Sequence, residues 1–281
     1  MVKLITDIKE MKQVAKSLKQ EGKSIGFVPT MGYLHRGHIS LVECSKNDND
    51  ITVLSIFVNP TQFGKGEDFD KYPRDLERDL KIADDAGVDF VFAPDEKQMY
   101  PSDYATYVIQ ERLTDKLCGA FRPGHFKGVL TVVNKLFNIV QPDRAYFGEK
   151  DYQQLVVIKQ MVKDFNMDVE IVGCPLVRES DGLAMSSRNK YLSEEERQAA
   201  LSLSKALFLA KELFEKGETN PEKIKAEMKN LILQHPQVGQ IQYIEIVHPK
   251  TLEPKEKVEK GDRILLAVYV GDTRLIDNIE L

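Results

Sequence analysis

The chain has 281 residues, 42% hydrophobic and 30% charged, which allows one large domain or two ordinary ones around a substantial core. A net charge of −5 with a pI near 5.7 excludes a global basic field for nucleic acid. Three cysteines, Cys44, Cys118 and Cys174, show no CxxC spacing, which argues against a disulfide scaffold or zinc finger and fits a reducing cytoplasm.

The opening MVKLITDIKEMKQ lacks an apolar core of signal-peptide length. Residues 24–29 (SIGFVP) and 51–58 (ITVLSIFV) are continuous apolar runs, the pattern of strands covered on both faces. A helix is expected over 74–87, ending at a glycine, and a strand over 88–94. The helical pattern 125–140 stops before Pro142; Asn134 and Lys135 interrupt it, and it is too short to span a bilayer, so no membrane is expected. A short strand over 145–147 and a helix over 150–165 follow, the helix with a stripe of Leu155, Ile158, Val162 and Phe165. A further strand is expected over 168–175. Such alternation predicts right-handed crossovers and a parallel sheet with helices on both faces.

The pattern changes near residue 177. A polar stretch leads to Ser193 and Glu196, a capping box for a helix over 194–216, and Asn220 with Pro221 starts another. Two period-2 strands, QIQYIEIVH and RILLAVYV, come last. We therefore expect an α/β nucleotide-type domain over 1–176 and a smaller α+β domain over 177–281.

Ligands of open α/β sheets bind beyond the carboxyl ends of the strands, so the loops there carry the chemistry. After the first comes PTMGYLHRGH. With a helix beginning near Leu34, His35 and His38 share one face of its first turn, where backbone N–H groups and the helix dipole suit phosphate. The dipole also favours neutral imidazoles that act as hydrogen-bond donors. Gly37 would let a base or ribose approach the backbone. The spacing does not fit a HExxH metalloprotease, no GxGxxG occurs, and EGKS precedes a strand instead of following one. In GLAMSSRNKY, Ser186 and Ser187 can donate to phosphate while Arg188 adds charge and a planar fork. In FGEKDYQQ, Lys150 is expected at a helix start with Gln154 one turn on; there a lysine opposes the dipole unless an anion is bound.

HxGH with a late MSxR-type loop resembles the HIGH/KMSKS nucleotidylyltransferase superfamily. Together, PTMGYLHRGH, FVNPTQFG, RPGHFKGVLTVV, FGEKDYQQL and DGLAMSSRN resemble the pantothenate synthetase (pantoate–β-alanine ligase) family. No lysine precedes Met185, and Ser187 stands where the second lysine of KMSKS would be. The resemblance implies a doubly wound, Rossmann-like ATP/pantoate domain and a C-terminal lid. It implies that pantoate attacks the α-phosphate of ATP, with Mg2+, to give pantoyl-adenylate and pyrophosphate, and that β-alanine then displaces AMP. By matching motif it assigns Met31, Gly32, Tyr33, Leu34, His35, Arg36, Gly37 and His38 to ATP, with His38, His35 and Lys150 as catalytic residues. Gly148, Glu149, Lys150, Asp151, Val177, Met185, Ser186, Ser187 and Arg188 complete the ATP set. Gln62, Gln154 and Asn59 are assigned to pantoate and β-alanine. Tyr72, Arg122 and His125 lie in matching segments without an assigned role. A homodimer is implied. Two readings stand beside it: a cytidylyltransferase for a phosphorylated alcohol, against which the neutral Gln62 and Gln154 speak, and a nucleotide- or RNA-binding module, against which the acidic pI speaks.

Overall fold

A computed structural model describes residues 1–281. The chain forms two compact units: Met1–Thr114, Arg122–Glu149 and Gln154–Pro175 make the first, and Asp115–Phe121, Lys150–Gln153 and Leu176–Leu281 the second. The short segments 115–121 and 150–153, which sequence alone places in the first domain, thus cluster with the second unit.

In the first unit, strands β1 (Lys3–Ile5), β2 (Ile25–Thr30), β3 (Ile51–Ile56), β4 (Phe90–Phe92), β5 (Arg144–Gly148) and β6 (Glu170–Cys174) form one parallel sheet, ordered β1-β4-β3-β2-β5-β6. Helices α1 (Ile8–Gln20), α2 (Arg36–Asp48), α3 (Leu76–Asp85), α4 (Glu96–Met99), α6 (His125–Val140) and α7 (Tyr152–Asp164) intervene; α5 (Cys118–Phe121) belongs to the second unit. Val28, Leu54 and Val91 of the sheet pack with Leu41 and Val42 of α2 and Ala83 of α3. Phe27 and Phe147 meet Phe137 of α6 edge-on, so the sheet is doubly wound, as the apolar runs require. Strand order reverses at β2, and the crevice beyond the ends of β2 and β5 is the place such a sheet offers a ligand.

The N-terminal strand and helix are additions to the sequence reading. β1 has three residues and one buried side chain, Ile5, too little for a pattern; α1 is capped by Asp7, which accepts the Glu10 N–H. Two expectations are corrected. α7 starts at Tyr152, after a 3₁₀ turn over Glu149–Asp151, so Lys150 does not lie one helical turn from Gln154. The helix also stops at Asp164, leaving Phe165 56% exposed while Met161 is buried with Leu155 and Ile158.

In the second unit, α8 (Glu194–Glu215), with its Ser193–Glu196 capping box, and α9 (Pro221–Ile232), capped by Asn220, pack on an antiparallel sheet. Its strands are β7 (Val238–Val247), β8 (Arg263–Val270) and β9 (Thr273–Glu280), in that order. β8 is central and buried along almost its whole length, so it is a continuous run and not a period-2 strand; β9, which sequence did not reveal, returns after a tight turn at Gly271. No helix is long and apolar enough to cross a membrane.

One glycine decides how α6 meets the site. A Cβ on Gly128 would lie 2.3 Å from the Thr61 carbonyl oxygen and 2.5 Å from Gln62 N, both backbone. Gly→Ala inside a helix ordinarily gains up to about 1 kcal/mol, but overpacking against backbone costs about 1–3 kcal/mol. Gly128→Ala should therefore lower the urea midpoint; an unchanged or higher midpoint would show that this approach does not constrain the fold.

Candidate active site

The turn from β2 into α2 is held from outside. Gly32 and Tyr33 both have positive φ, 82° and 51°, a costly conformation for a tyrosine. Asp79 of α3, 1% exposed, accepts the Tyr33 N–H on Oδ2 (2.6 Å) and the Leu34 N–H on Oδ1 (2.8 Å). Burial pushes the Asp79 carboxyl above its ordinary value, and the two backbone bonds oppose that. Arg78 donates to the Leu34 carbonyl at 2.9 Å and lies over the Tyr33 ring. Thr30 Oγ1 accepts the Gly32 N–H at 3.1 Å.

The helix then begins at Arg36, with His35 as its N-cap and not as a first-turn residue. His35 Nδ1 accepts the Gly37 N–H at 3.1 Å, and His38 Nδ1 accepts the His35 N–H at 3.2 Å. This is a capping box built from imidazoles, with ring centroids 4.0 Å apart. A ring nitrogen that accepts a backbone N–H carries no proton, so each neutral ring holds its proton on Nε2 and donates from there. Two residues of this ATP set turn their side chains elsewhere: Leu34 is in the core, and Arg36 pairs with Glu43 on the helix surface.

Beyond β3, Asn59 caps a 3₁₀ turn over Pro60–Gln62. Its Oδ1 accepts from Thr61 N (3.4 Å), Thr61 Oγ1 (2.9 Å) and Tyr100 Oη (2.8 Å). Burial pushes the Tyr100 phenol up to about 12, so it stays protonated and donates. Asn59 Nδ2 donates to the Gly128 carbonyl (3.2 Å) and to Gln62 Oε1 (3.0 Å). Since a backbone N–H only donates and a carbonyl only accepts, the Asn59 amide has one orientation. Gln62 must then face it with oxygen, and its Nε2 is turned to Met31 Sδ, 3.1 Å away. Asn59, 1% exposed with both amide ends engaged, thus orients the Gln62 amide. Gln154 is half-buried in the first turn of α7.

Arg122 and His125 also serve Gln62. Glu67 takes Arg122 Nε and Nη2 at 2.7 and 2.6 Å. Arg122 Nη1 lies 3.2 Å from His125 Nε2, and His125 Nδ1 lies 2.9 Å from the Gln62 carbonyl. A guanidinium only donates, so His125 accepts on Nε2 and donates from Nδ1 to Gln62. Tyr72 is buried, edge-on to Phe63, and is a packing residue.

In the second unit the arginine-bearing loop is a short hairpin. Met185 N–H reaches the Val177 carbonyl at 3.0 Å, and Glu179 N–H the Leu183 carbonyl at 2.8 Å. Asn189 and Arg197 both fasten it through Glu179. Ser186 Oγ accepts the Arg188 N–H at 3.2 Å and starts a 3₁₀ turn, Ser187–Tyr191; Ser187 is buried. Lys150 pairs with Asp151 at 3.6 Å. In the first unit, Gly148 ends β5 and Glu149 opens the 3₁₀ turn that follows, and a Cβ on Gly148 would meet only open space. No cluster of three or more His, Cys, Asp or Glu side chains could hold a metal ion.

Sequence reading missed Asp79, Thr30, Glu67 and Tyr100. Only Asp79 left a signal: it falls one turn before Ala83 on the buried side of α3, where an acid has no reason to be without a partner.

The family model for pantoate-beta-alanine ligase matches residues 3–280. A pantothenate synthetase of Sulfurihydrogenibium sp. is 60% identical over 279 residues, 99% of this chain and 100% of that one. That of Caldicellulosiruptor saccharolyticus is 63% identical over 276 residues, 98% of each chain. The crystal structure of the Thermus thermophilus pantothenate synthetase superposes with a TM-score of 0.94 at 48% identity, covering 99% of both chains. A Francisella tularensis pantoate-beta-alanine ligase, crystallised with β,γ ATP and β-alanine, gives a TM-score of 0.82 at 38% identity, covering 100% of this chain and 98% of that one.

The Glu67–Arg122 pair makes stability pH-dependent. Burial alone would raise the Glu67 carboxyl, but the Arg122 hydrogen bonds and charge outweigh it and hold it at about 2, against an ordinary 4.5. A depressed carboxyl stabilises the fold above the unfolded value and loses that contribution as pH falls from about 4.5 towards about 2. Glu67→Gln should flatten the pH dependence of urea unfolding in that window; a slope equal to the parent's would show that the pair contributes nothing there.

Proposed function

The chain belongs to the pantoate-beta-alanine ligase family, and on that premise we propose how its residues divide the ATP-dependent joining of pantoate to β-alanine. In the first step a carboxylate oxygen of pantoate attacks the α-phosphorus of ATP, the bond to the β-phosphate breaks, and pyrophosphate leaves with the electron pair. In the second the β-alanine amine attacks the acyl carbon of pantoyl-adenylate, loses a proton, and AMP departs. Neither step needs a protein nucleophile; both need positioning and donors where negative charge grows.

The observation that carries the assignment is the imidazole capping box. It fixes His35 and His38 as Nε2–H donors at the amino end of α2, beyond the carboxyl edge of β2. His38 and His35 donate to the nucleotide phosphates. Gln62 offers Nε2–H to pantoate oxygen, and Gln154 is its second amide. In the second unit, Lys150, the Ser186 hydroxyl and Arg188 take the charge of the departing pyrophosphate, and that unit acts as the lid. The Val177–Met185 backbone pair and Asp151 support this set. Mg2+ would enter with ATP, where it would add positive charge at the phosphate oxygens beside the donors of this chain.

Three free cysteines support a cytoplasmic location. A homodimer is supported by Ile109, an apolar side chain left 71% exposed that a second copy would cover. Ile109→Lys should shift the purified chain towards monomer in sedimentation, and an unchanged size would place the contact elsewhere.

His38→Ala and Lys150→Ala test the phosphate assignment. Each removes one preorganised donor, which typically costs on the order of 10²–10³ in rate. In single turnover, adenylate formation should fall by about that factor, while preformed pantoyl-adenylate should react with β-alanine at close to the parent rate. An equal fall in both half-reactions would show that these residues do not act on pyrophosphate departure.

A further inference from the structure

Strand β9 carries two adjacent buried polar residues, Asp277 and Asn278, each 4% exposed. Neighbours on a strand point to opposite faces, so the two reach different partners. Asp277 lies on the face of Leu275, which packs into the core with α8. It receives Arg178 through both prongs of the guanidinium, Nη1 to Oδ2 at 2.6 Å and Nη2 to Oδ1 at 3.0 Å. Arg178 also donates to the Gly182 carbonyl at 3.1 Å. It thereby fastens the base and the tip of the hairpin that delivers Ser186 and Arg188.

On the opposite face, Asn278 accepts Arg263 Nη1 on Oδ1 at 3.0 Å and donates from Nδ2 to the Lys150 carbonyl at 3.0 Å. The guanidinium can only donate and the carbonyl only accept, so the amide has one orientation. Arg263 itself lies over the Tyr152 ring, its Cζ 4.1 Å from the centroid, and Tyr152 Oη donates to the Pro249 carbonyl at 3.1 Å. The segment 150–153 is thus seated on the sheet of the second unit at several points. Asp277 Oδ1 also accepts the Asn278 N–H at 2.7 Å, which ties the two grips together.

A buried acid and a buried amide are a poor way to stabilise a strand, since apolar residues of similar size ordinarily do at least as well. Their use here calls for a geometric reason. We propose that Asp277 and Asn278 are positioning residues for adenylate formation: one strand holds, on its two faces, the segments that carry Lys150 and Ser186–Arg188. The inference rests on the assignment of those segments to the ATP phosphates. Through Asn278 the strand fixes the backbone from which Lys150 projects; through Asp277 it fixes the arginine-bearing turn.

Asn278→Asp isolates the first grip in the full chain. It keeps an acceptor for Arg263 but sets a carboxylate oxygen against the Lys150 carbonyl. A misplacement of about 1 Å can cost on the order of 10² in rate, so adenylate formation in single turnover should slow by about tenfold or more. Conversion of preformed pantoyl-adenylate should stay near the parent rate. Combined with Lys150→Ala, the change should add nothing to the slowing caused by Lys150→Ala alone, because both act through one ammonium group. A parental rate for Asn278→Asp, a multiplicative effect in the double variant, or an equal fall in both half-reactions would overturn the proposal. If Lys150→Ala alone leaves adenylate formation unchanged, the phosphate assignment fails and removes the premise. Asp277→Asn gives an independent reading: it keeps the shape and one acceptor for Arg178. It should raise KM for ATP several-fold without moving KM for pantoate, and an equal rise in both would count against the second grip.

Discussion

Asp79 commits each carboxylate oxygen to one backbone amide of the turn between β2 and α2. Taking a carboxylate out of water costs several kcal/mol, and the two charge-assisted bonds, with Arg78 alongside, offset that cost only while the turn keeps its shape. The dependence runs both ways: Tyr33 tolerates a left-handed conformation because its N–H has this partner. Everything downstream inherits the constraint. The turn ends at His35, so its exit direction sets where α2 begins and where the two imidazoles face.

The first unit's donors are neutral and oriented rather than charged and mobile. Each has its direction set by a partner: a backbone N–H for His35 and His38, and the Asn59 amide for the Gln62 amide. Oriented dipoles of this kind need no rearrangement as charge develops, which is what a displacement at phosphorus asks of its surroundings. The close approach of α6 at Gly128 belongs to the same economy, because its carbonyl is also a fixed acceptor for Asn59. The charged side chains proposed for the phosphates, Lys150 and Arg188, belong to the second unit.

The sheet was legible because strands covered on both faces must be apolar throughout, and helices 125–140 and 194–216 because their boundaries carry local chemistry. β1 escaped because one buried isoleucine makes no pattern, and β9 because polar Asp277 and Asn278 are buried on its two faces and break the apolar pattern of each. The site was legible as residue types and not as geometry. HxGH announced two histidines, but no spacing rule distinguishes a first-turn histidine from an N-cap. Nor could sequence separate Gln62 from Asn59, since both are loop amides and only burial reveals that one holds the other. Lys150 was misplaced for a related reason: a 3₁₀ turn before a helix reads as helix until the hydrogen bonds are seen.

The second unit is not one stretch of chain. Segments 115–121 and 150–153 find their partners far along the sequence: Cys118 Sγ meets Arg274, 156 residues on, and the Lys150 carbonyl meets Asn278, 128 residues on. During synthesis at about 5–20 residues per second, the lysine segment emerges roughly 6–26 s before the strand that seats it. For that interval the nascent chain can close its parallel sheet but cannot fix the lysine's backbone. A chain cut short before β9 therefore has a first unit that can be folded and a second that is unfinished. It also means that the two halves cannot be exchanged between relatives by a single cut at the apparent boundary, since two short pieces of the second lie inside the coding stretch of the first.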